Sequence, residues 1–268
     1  MFIYNPMEAV DMLCGVFPRP VSIPFHLEQH LTARLFAWFE KLLQSSEWKS
    51  WQFGEDDGIQ RRDPSPAHPT RDPKWLFHFK QHVPDLLETY RVNIRKHFQF
   101  LIDCEHALFQ IITDAAPYIT AMDTILPGFA FLRNFQEGVH TLRLIIDDPP
   151  AITGNNVVAD THTDLSFCTY HLWESRPEML YYDEGSDTWV SAPDQSVDHD
   201  HTTFFLGRKA AIMTGGTRVY DSNGNQTLEV NGGILRPLRH MVRERGNVAL
   251  LTTPRKAIVA FLHVPLVL

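Results

Sequence analysis

From Leu27 to Leu43, apolar residues fall at Leu31, Leu35, Phe36, Phe39 and Leu42, with Glu28, Arg34, Glu40 and Lys41 between them. Side chains three or four apart share one helix face, so this spacing predicts an amphipathic helix. A longer stripe opens after Pro84 and Asp85 and passes through Leu86, Leu87, Tyr90, Ile94, Phe98, Leu101, Leu108, Ile111 and Ile112. It predicts the longest helical stretch of the chain, broken once along its length and packed against a sheet. Between the two, Gly54 to Pro73 is rich in Asp, Arg, Pro and Gly and predicts an exposed loop.

The pattern changes near Phe129. Short β-prone runs follow at Gly138 to Ile146, Phe167 to Trp173, Met179 to Tyr182, Thr188 to Ser191, Ala210 to Met213, Asn247 to Leu251 and Ala257 to Val264. Clusters of Gly, Pro, Asn and Asp separate them, which predicts an antiparallel β region of the jelly-roll or barrel kind. Helices followed by strands predict an α+β organisation with a mainly β core. No linker-like segment divides the chain, so 1–268 is expected to be a single domain, with a helical part over about 1–125 and the β core over about 126–268.

Composition removes some functions. The formal net charge is −8, and no Lys/Arg cluster of the kind that holds phosphate backbones occurs, so nucleic acid is not an expected partner. No apolar run approaches the length of a membrane span. The first residues lack the basic and apolar regions of a signal peptide, and the three cysteines show no paired spacing. A cytoplasmic protein with reduced thiols, and no membrane association, is expected. The Gly215-Gly216, Gly224 and Gly232-Gly233 clusters carry no Gly-Lys-Ser/Thr, so they predict turns and not phosphate loops.

Fourteen histidines are present, so spacing has to select among them. In Asp160-Thr161-His162-Thr163-Asp164, residues two apart on a strand project to one face, which places His162 and Asp164 together. A third ligand must come from another strand, and His240 in Leu238-Arg239-His240-Met241-Val242 is the best candidate. Two imidazoles and one carboxylate on one face, with the remaining positions open, suit a non-haem iron(II). A hydrogen-bonded His/Asp turn is the plainer alternative for the first pair. His199 and His201 lie in an Asp-rich stretch that predicts a surface loop and not a second metal site. Ser166 and Tyr170 share strand parity with Asp164 and are candidates to line a substrate pocket, or else packing residues.

The order of motifs extends this. Leu142-Arg143-Leu144-Ile145-Ile146, Pro149-Pro150 and His162-Thr163-Asp164 are followed by Met179-Leu180-Tyr181-Tyr182 and Thr188-Trp189-Val190-Ser191-Ala192-Pro193. Gly207 to Gly216, His240-Met241-Val242 and Pro254 to Phe261 come next. In this order the segments resemble the isopenicillin-N-synthase-like family of iron(II)/2-oxoglutarate-dependent oxygenases. Asp72-Pro73-Lys74-Trp75-Leu76-Phe77-His78-Phe79 adds a looser match.

The resemblance implies a double-stranded β-helix (jelly roll) with N-terminal helices packed against it. It implies iron(II) bound by His162, Asp164 and His240, 2-oxoglutarate as co-substrate, molecular oxygen, and oxidation of a small molecule with succinate and carbon dioxide as co-products. Arg255 would take the distal carboxylate of 2-oxoglutarate in a bidentate fork. The family's serine two residues on is Ala257 here, and Ile145 and Asp147 stand near positions where it has Asn and Tyr. Arg143, on the strand leading to the metal motif, is a candidate for a substrate carboxylate, a salt-bridged scaffold arginine being the alternative. An iron oxidase of the same fold that does without 2-oxoglutarate, and a catalytically silent ligand- or partner-binding protein, stay open, as do the substrate and the oligomeric state.

Overall fold

A computed structural model of the chain describes residues 5–15, 17–25, 27, 29–54, 57–64, 73–80, 84–154, 156–192, 201–220 and 226–265. Helices α1 (Pro6–Leu13), α2 (Gln29–Leu43) and α3 (Pro84–Ile125) lie in the N-terminal part, with strands β1 (Val21–Pro24), β2 (Gln52–Gly54), β3 (Asp57–Arg62) and β4 (Lys74–Lys80) between them. Then come α4 (Phe131–Gln136), β5 (Thr141–Asp147), α5 (Pro150–Thr153), β6 (Val157–His162), β7 (Cys168–Glu174), β8 (Met179–Asp183) and β9 (Thr188–Ser191). The chain continues with β10 (His201–Leu206), α6 (Arg208–Met213), β11 (Thr217–Tyr220), β12 (Gln226–Asn231), β13 (His240–Arg243) and β14 (Arg255–Leu262).

The strands form an eight-stranded sheet in the order β1-β10-β7-β14-β5-β4-β3-β2, a four-stranded sheet β6-β13-β8-β9 and a hairpin β11-β12. These mostly antiparallel sheets, with a few helices, make an α+β architecture with a β core. Strand alternation decides what each face of the large sheet does. On β5, Leu142, Leu144 and Ile146 enter the hydrophobic core, whereas Arg143, Ile145 and Asp147 line a cavity on the other face. β14 repeats this, with Ile258, Ala260 and Leu262 in the core and Arg255, Ala257, Val259 and Phe261 in the cavity.

The core face is covered by α2 and α3. Leu31, Leu35, Phe36, Phe39 and Leu42 of α2 are buried there, as the sequence spacing predicts. In α3, Leu101, Cys104, Leu108, Ile111, Ala115, Ile119 and Met122 form one continuous buried stripe. The expected break is absent. Pro117 lies inside the 42-residue helix without ending it, because buried side chains on both sides of it hold the helix to the sheet.

Other expectations are corrected. The N-terminal part is not purely helical, since β1 to β4 extend the large sheet. The stretch expected as a loop from Gly54 contains β3, in register with β4 from Gly58↔His78 to Arg62↔Lys74. Ala210 to Met213 belongs to the helix α6, not to a strand. Its Ala-rich sequence favours helix, and its first amide groups are used by the loop between β6 and β7: Arg208 N donates to Asp164 O and Lys209 N to Ser166 O. Val248–Leu250, expected as part of a strand, forms a 3-10 turn capped by the Asn247 side chain on Ala249 N. His201 is on β10, paired with Pro24, and His199 lies outside the described residues.

Candidate metal centre and cavity

β6 and β13 pair so that His162 and His240 are direct cross-strand partners. Their ring centres are 4.3 Å apart. Asp164 follows the last residue of β6 by two positions and turns toward both. His162 Nε2 is 3.6 Å and His240 Nε2 3.8 Å from the same oxygen, Asp164 Oδ1. The ligand atoms of the three residues all lie within 4.8 Å of one another.

Neighbouring groups fix each ligand. His162 Nδ1 is 2.6 Å from Asp160 O, and His240 Nδ1 is 3.2 Å from Leu238 O. A carbonyl only accepts, so each ring donates through Nδ1 and keeps the Nε2 lone pair for a metal. The Thr169 hydroxyl donates to Asp164 Oδ2 at 2.6 Å and sits 2.9 Å from Ser166 Oγ. The two oxygens of Asp164 are thereby assigned, Oδ2 to Thr169 and Oδ1 to the histidine side.

Electrostatics agree with this division. Burial, together with the neighbouring His162, lowers His240 to about 4, so its ring is neutral at physiological pH. Burial alone would raise the Asp164 carboxyl, but His240, His162, the Thr169 hydrogen bond and Arg143 outweigh it and hold the group below the usual carboxylate range. A neutral imidazole beside an ionised carboxylate is the donor set a divalent cation needs.

The cluster opens on a cavity of about 350 Å³ between the two sheets. The small sheet contributes Val158, His162, Met179, His240 and Val242, and β10 adds Phe205, 4.8 Å from the His240 ring. Arg62, Lys74, Arg143 and Arg255 also line the cavity, with Leu76, Ile145, Ala257, Val259 and Phe261 between them.

Arg255 reaches this cavity already paired with two carboxylates. It is buried, with Nη1 donating to Asp147 Oδ2 at 2.9 Å and Nη2 to Glu174 Oε2 at 2.5 Å. Its Nε is buried without a hydrogen-bond partner. Arg143 lines the cavity, its guanidinium 4.3 Å from the Phe261 ring centre. Tyr170 is corrected outright. Thr169 and His171 on either side of it face the cavity, so Tyr170 points to the opposite face and packs against Phe25 and Phe204. Its parity with Asp164 fails because Asp164 lies before β7, across an irregular turn. Thr169, Glu174 and Lys74 were not singled out from sequence. Only Lys74 lay in a matched segment.

No protein-family model matches the sequence, and no curated protein matches it. Solved structures do. AtDAO1, the dioxygenase for auxin oxidation 1 of Arabidopsis thaliana in complex with 2-oxoglutarate, superposes with a TM-score of 0.65 at 17% identity, covering 97% of this chain and 87% of that one. A full-length Neurospora crassa protein in complex with alpha-KG gives 0.65 at 14% identity over 97% of this chain and 79% of its own. A protein of Caulobacter crescentus assigned to the 2OG-Fe(II) oxygenase family gives 0.66 at 15%, over 96% and 79%. The fold is that of the iron(II)/2-oxoglutarate-dependent oxygenases. Within this oxygenase fold, His162, Asp164 and His240 form the one group of three or more His, Cys, Asp or Glu residues, among the described residues, whose geometry suits a metal ion. No helix among the described residues is long and apolar enough to cross a membrane.

Proposed function

We propose that the chain is a non-haem iron(II)- and 2-oxoglutarate-dependent dioxygenase that oxidises, by hydroxylation, a small-molecule substrate. The observation that carries this is the convergence of His162 Nε2, His240 Nε2 and Asp164 Oδ1 at the edge of an internal cavity. Two imidazoles and a carboxylate fit iron(II), and three protein ligands leave positions for co-substrate and oxygen. The bound metal would supply oxygen activation coupled to decarboxylation of 2-oxoglutarate to succinate. The protein's part is to hold the ligands and to exclude water. Asp160 O and Leu238 O set the imidazole tautomers, Thr169 orients Asp164, and Val158, Met179, Phe205 and Val242 keep the surroundings apolar.

The chain acts as one domain in this reading, since strands from its N-terminal part share a sheet with β5, β7 and β14. The cavity volume suits a small molecule, and the Neurospora crassa protein, of the same fold, has been crystallised with alpha-KG and thymine. One observation favours a second reading, an iron oxidase that does without 2-oxoglutarate: Arg255 is engaged by Asp147 and Glu174. Anaerobic titration with iron(II), followed by succinate assay with candidate substrates in air, decides. Iron uptake lost in His162→Ala, with succinate formed as substrate is oxidised, supports the dioxygenase. Oxidation without succinate supports the oxidase, and wild-type protein that takes up no iron(II) would leave a silent binding protein.

A further inference from the structure

A second cavity lies at the far end of the large sheet. Lys80 and Thr141 are cross-strand partners on β4 and β5, and strand alternation puts them on the same face as Lys74 and Arg143. With Glu137, Lys209, His263 and Val264 they line a space of about 370 Å³ that shares no residue with the metal cavity. Its walls are held close together. The His263 amide donates to His140 Nδ1 at 3.2 Å, and a Cβ on Gly138 would stand 1.8 Å from His263 O. The turn before β5 and the segment after β14 therefore pack backbone to backbone.

The lining is positive, in a chain whose formal net charge is −8. Lys209 is half-buried, and its ammonium donates to Val264 O at 3.2 Å but makes no ion pair among the described residues. Burial, and then the charge of Arg218, lower its pKa. Lys80 adds a second ammonium. The two carboxylates at hand are already paired, Asp57 with Lys80 at 2.7 Å and Glu137 with Arg133 at 3.4 Å. Thr141 is only 4% exposed, and its hydroxyl has no hydrogen-bond partner among the described residues. A half-buried ammonium beside a buried, unused hydroxyl is costly unless an acceptor reaches both.

We propose that this cavity is a second ligand site, for a small oxyanion of the phosphate or dicarboxylate kind, held by the Lys209 and Lys80 ammonium groups and the Thr141 hydroxyl. Lys209 keeps two N–H donors beyond the one given to Val264 O. The neutral His263 ring adds another N–H without adding charge. Charge-assisted bonds from two ammonium groups favour an anion over a neutral ligand. The assignment stands on these residues alone and does not depend on the iron(II)/2-oxoglutarate reading.

Inorganic phosphate and malonate, titrated separately into the full chain without added metal and read by calorimetry, test it. The wild type is expected to bind at least one, and the tighter of the two tells phosphate from dicarboxylate. Lys209→Met should weaken that anion roughly 10- to 100-fold, the size of a lost charge-assisted bond, and Lys209→Arg should recover part of it. Thr141→Val removes only the hydroxyl and should weaken it several-fold, which keeps the test open if Lys209→Met does not fold. Equal affinity in wild type, Lys209→Met and Thr141→Val overturns the proposal, as does a wild type that binds neither anion at millimolar concentration. Binding lost in Arg255→Gln but kept in Lys209→Met would put the anion in the metal cavity and overturn it as well.

Discussion

The Thr169 hydroxyl donates to Asp164 Oδ2 at 2.6 Å, across the gap between the large sheet and the loop that leaves β6. That bond settles which carboxylate oxygen is left for a metal. Thr169→Val keeps the shape and removes the donor. Metal affinity should fall roughly 10- to 100-fold, as when other outer-sphere partners of metal ligands are lost. Iron(II) or manganese(II) titration would show it, and unchanged affinity would mean that the turn geometry alone orients Asp164.

Glu174 is buried against Arg255 and makes the shorter of its two carboxylate contacts. Replacing it by Gln leaves the Arg255 and Lys74 charges opposed by Asp147 alone. Removal of one partner from a buried ion pair costs about 3–5 kcal/mol, and the retained amide should hold the loss near the lower end. Denaturant unfolding monitored by circular dichroism measures it, and a shift below about 1 kcal/mol would show that water reaches this cluster.

Acid should destabilise the fold between about pH 6.5 and 4. Burial lowers His140 to about 4 and His263 to about 3, and pushes His78 well below its ordinary value. In that interval the unfolded chain binds protons that the folded chain refuses, so stability is full above it and is lost as pH falls. His140 alone contributes on the order of 3 kcal/mol. Its Nδ1 accepts from His263 N, a bond that protonation removes. Urea midpoints at pH 7, 5.5 and 4.5 should fall in that order, and His140→Gln should flatten the dependence.

Gly207 joins β10 to α6, where a Cβ would stand 2.2 Å from Ser166 O. The backbone φ of −103° is open to any residue, so the demand here is for space. Gly207→Ala should cost about 1–3 kcal/mol by overpacking and displace the loop from Asp164 to Ser166, weakening metal binding more than its effect on melting temperature would suggest. Parallel melting and metal titration separate the two effects.

Local periodicity made much of this molecule legible. The spacing of Leu31, Leu35, Phe36, Phe39 and Leu42 carries α2, and the His162-Thr163-Asp164 triplet with His240 picks out the residues that the structure brings together. What escaped depends on distant parts of the chain. Arg255 meets Asp147 and Glu174, which are 108 and 81 residues away in sequence, and no local pattern shows these pairings. Tyr170 departs from its expected face because a turn separates it from Asp164, and strand alternation does not hold through a turn. α6 escaped because Ala210-Ala211-Ile212-Met213 is as apolar as a short strand, and the amide bonds from Arg208 and Lys209 to Asp164 and Ser166 that hold its first turn come from a distant loop.

His162 and His240 belong to the four-stranded sheet, whereas Thr169 and His171 rise from the eight-stranded one. A metal ion at His162, Asp164 and His240 would join two strands of the small sheet to the loop after β6, which Thr169 ties to the large one. Loading it would couple the opening of one sheet to that of the other, so amide exchange should slow with occupancy in β7 of the large sheet as well as in β6 and β13. The centre would then be a clasp on the two sheets as well as the reactive site proposed above.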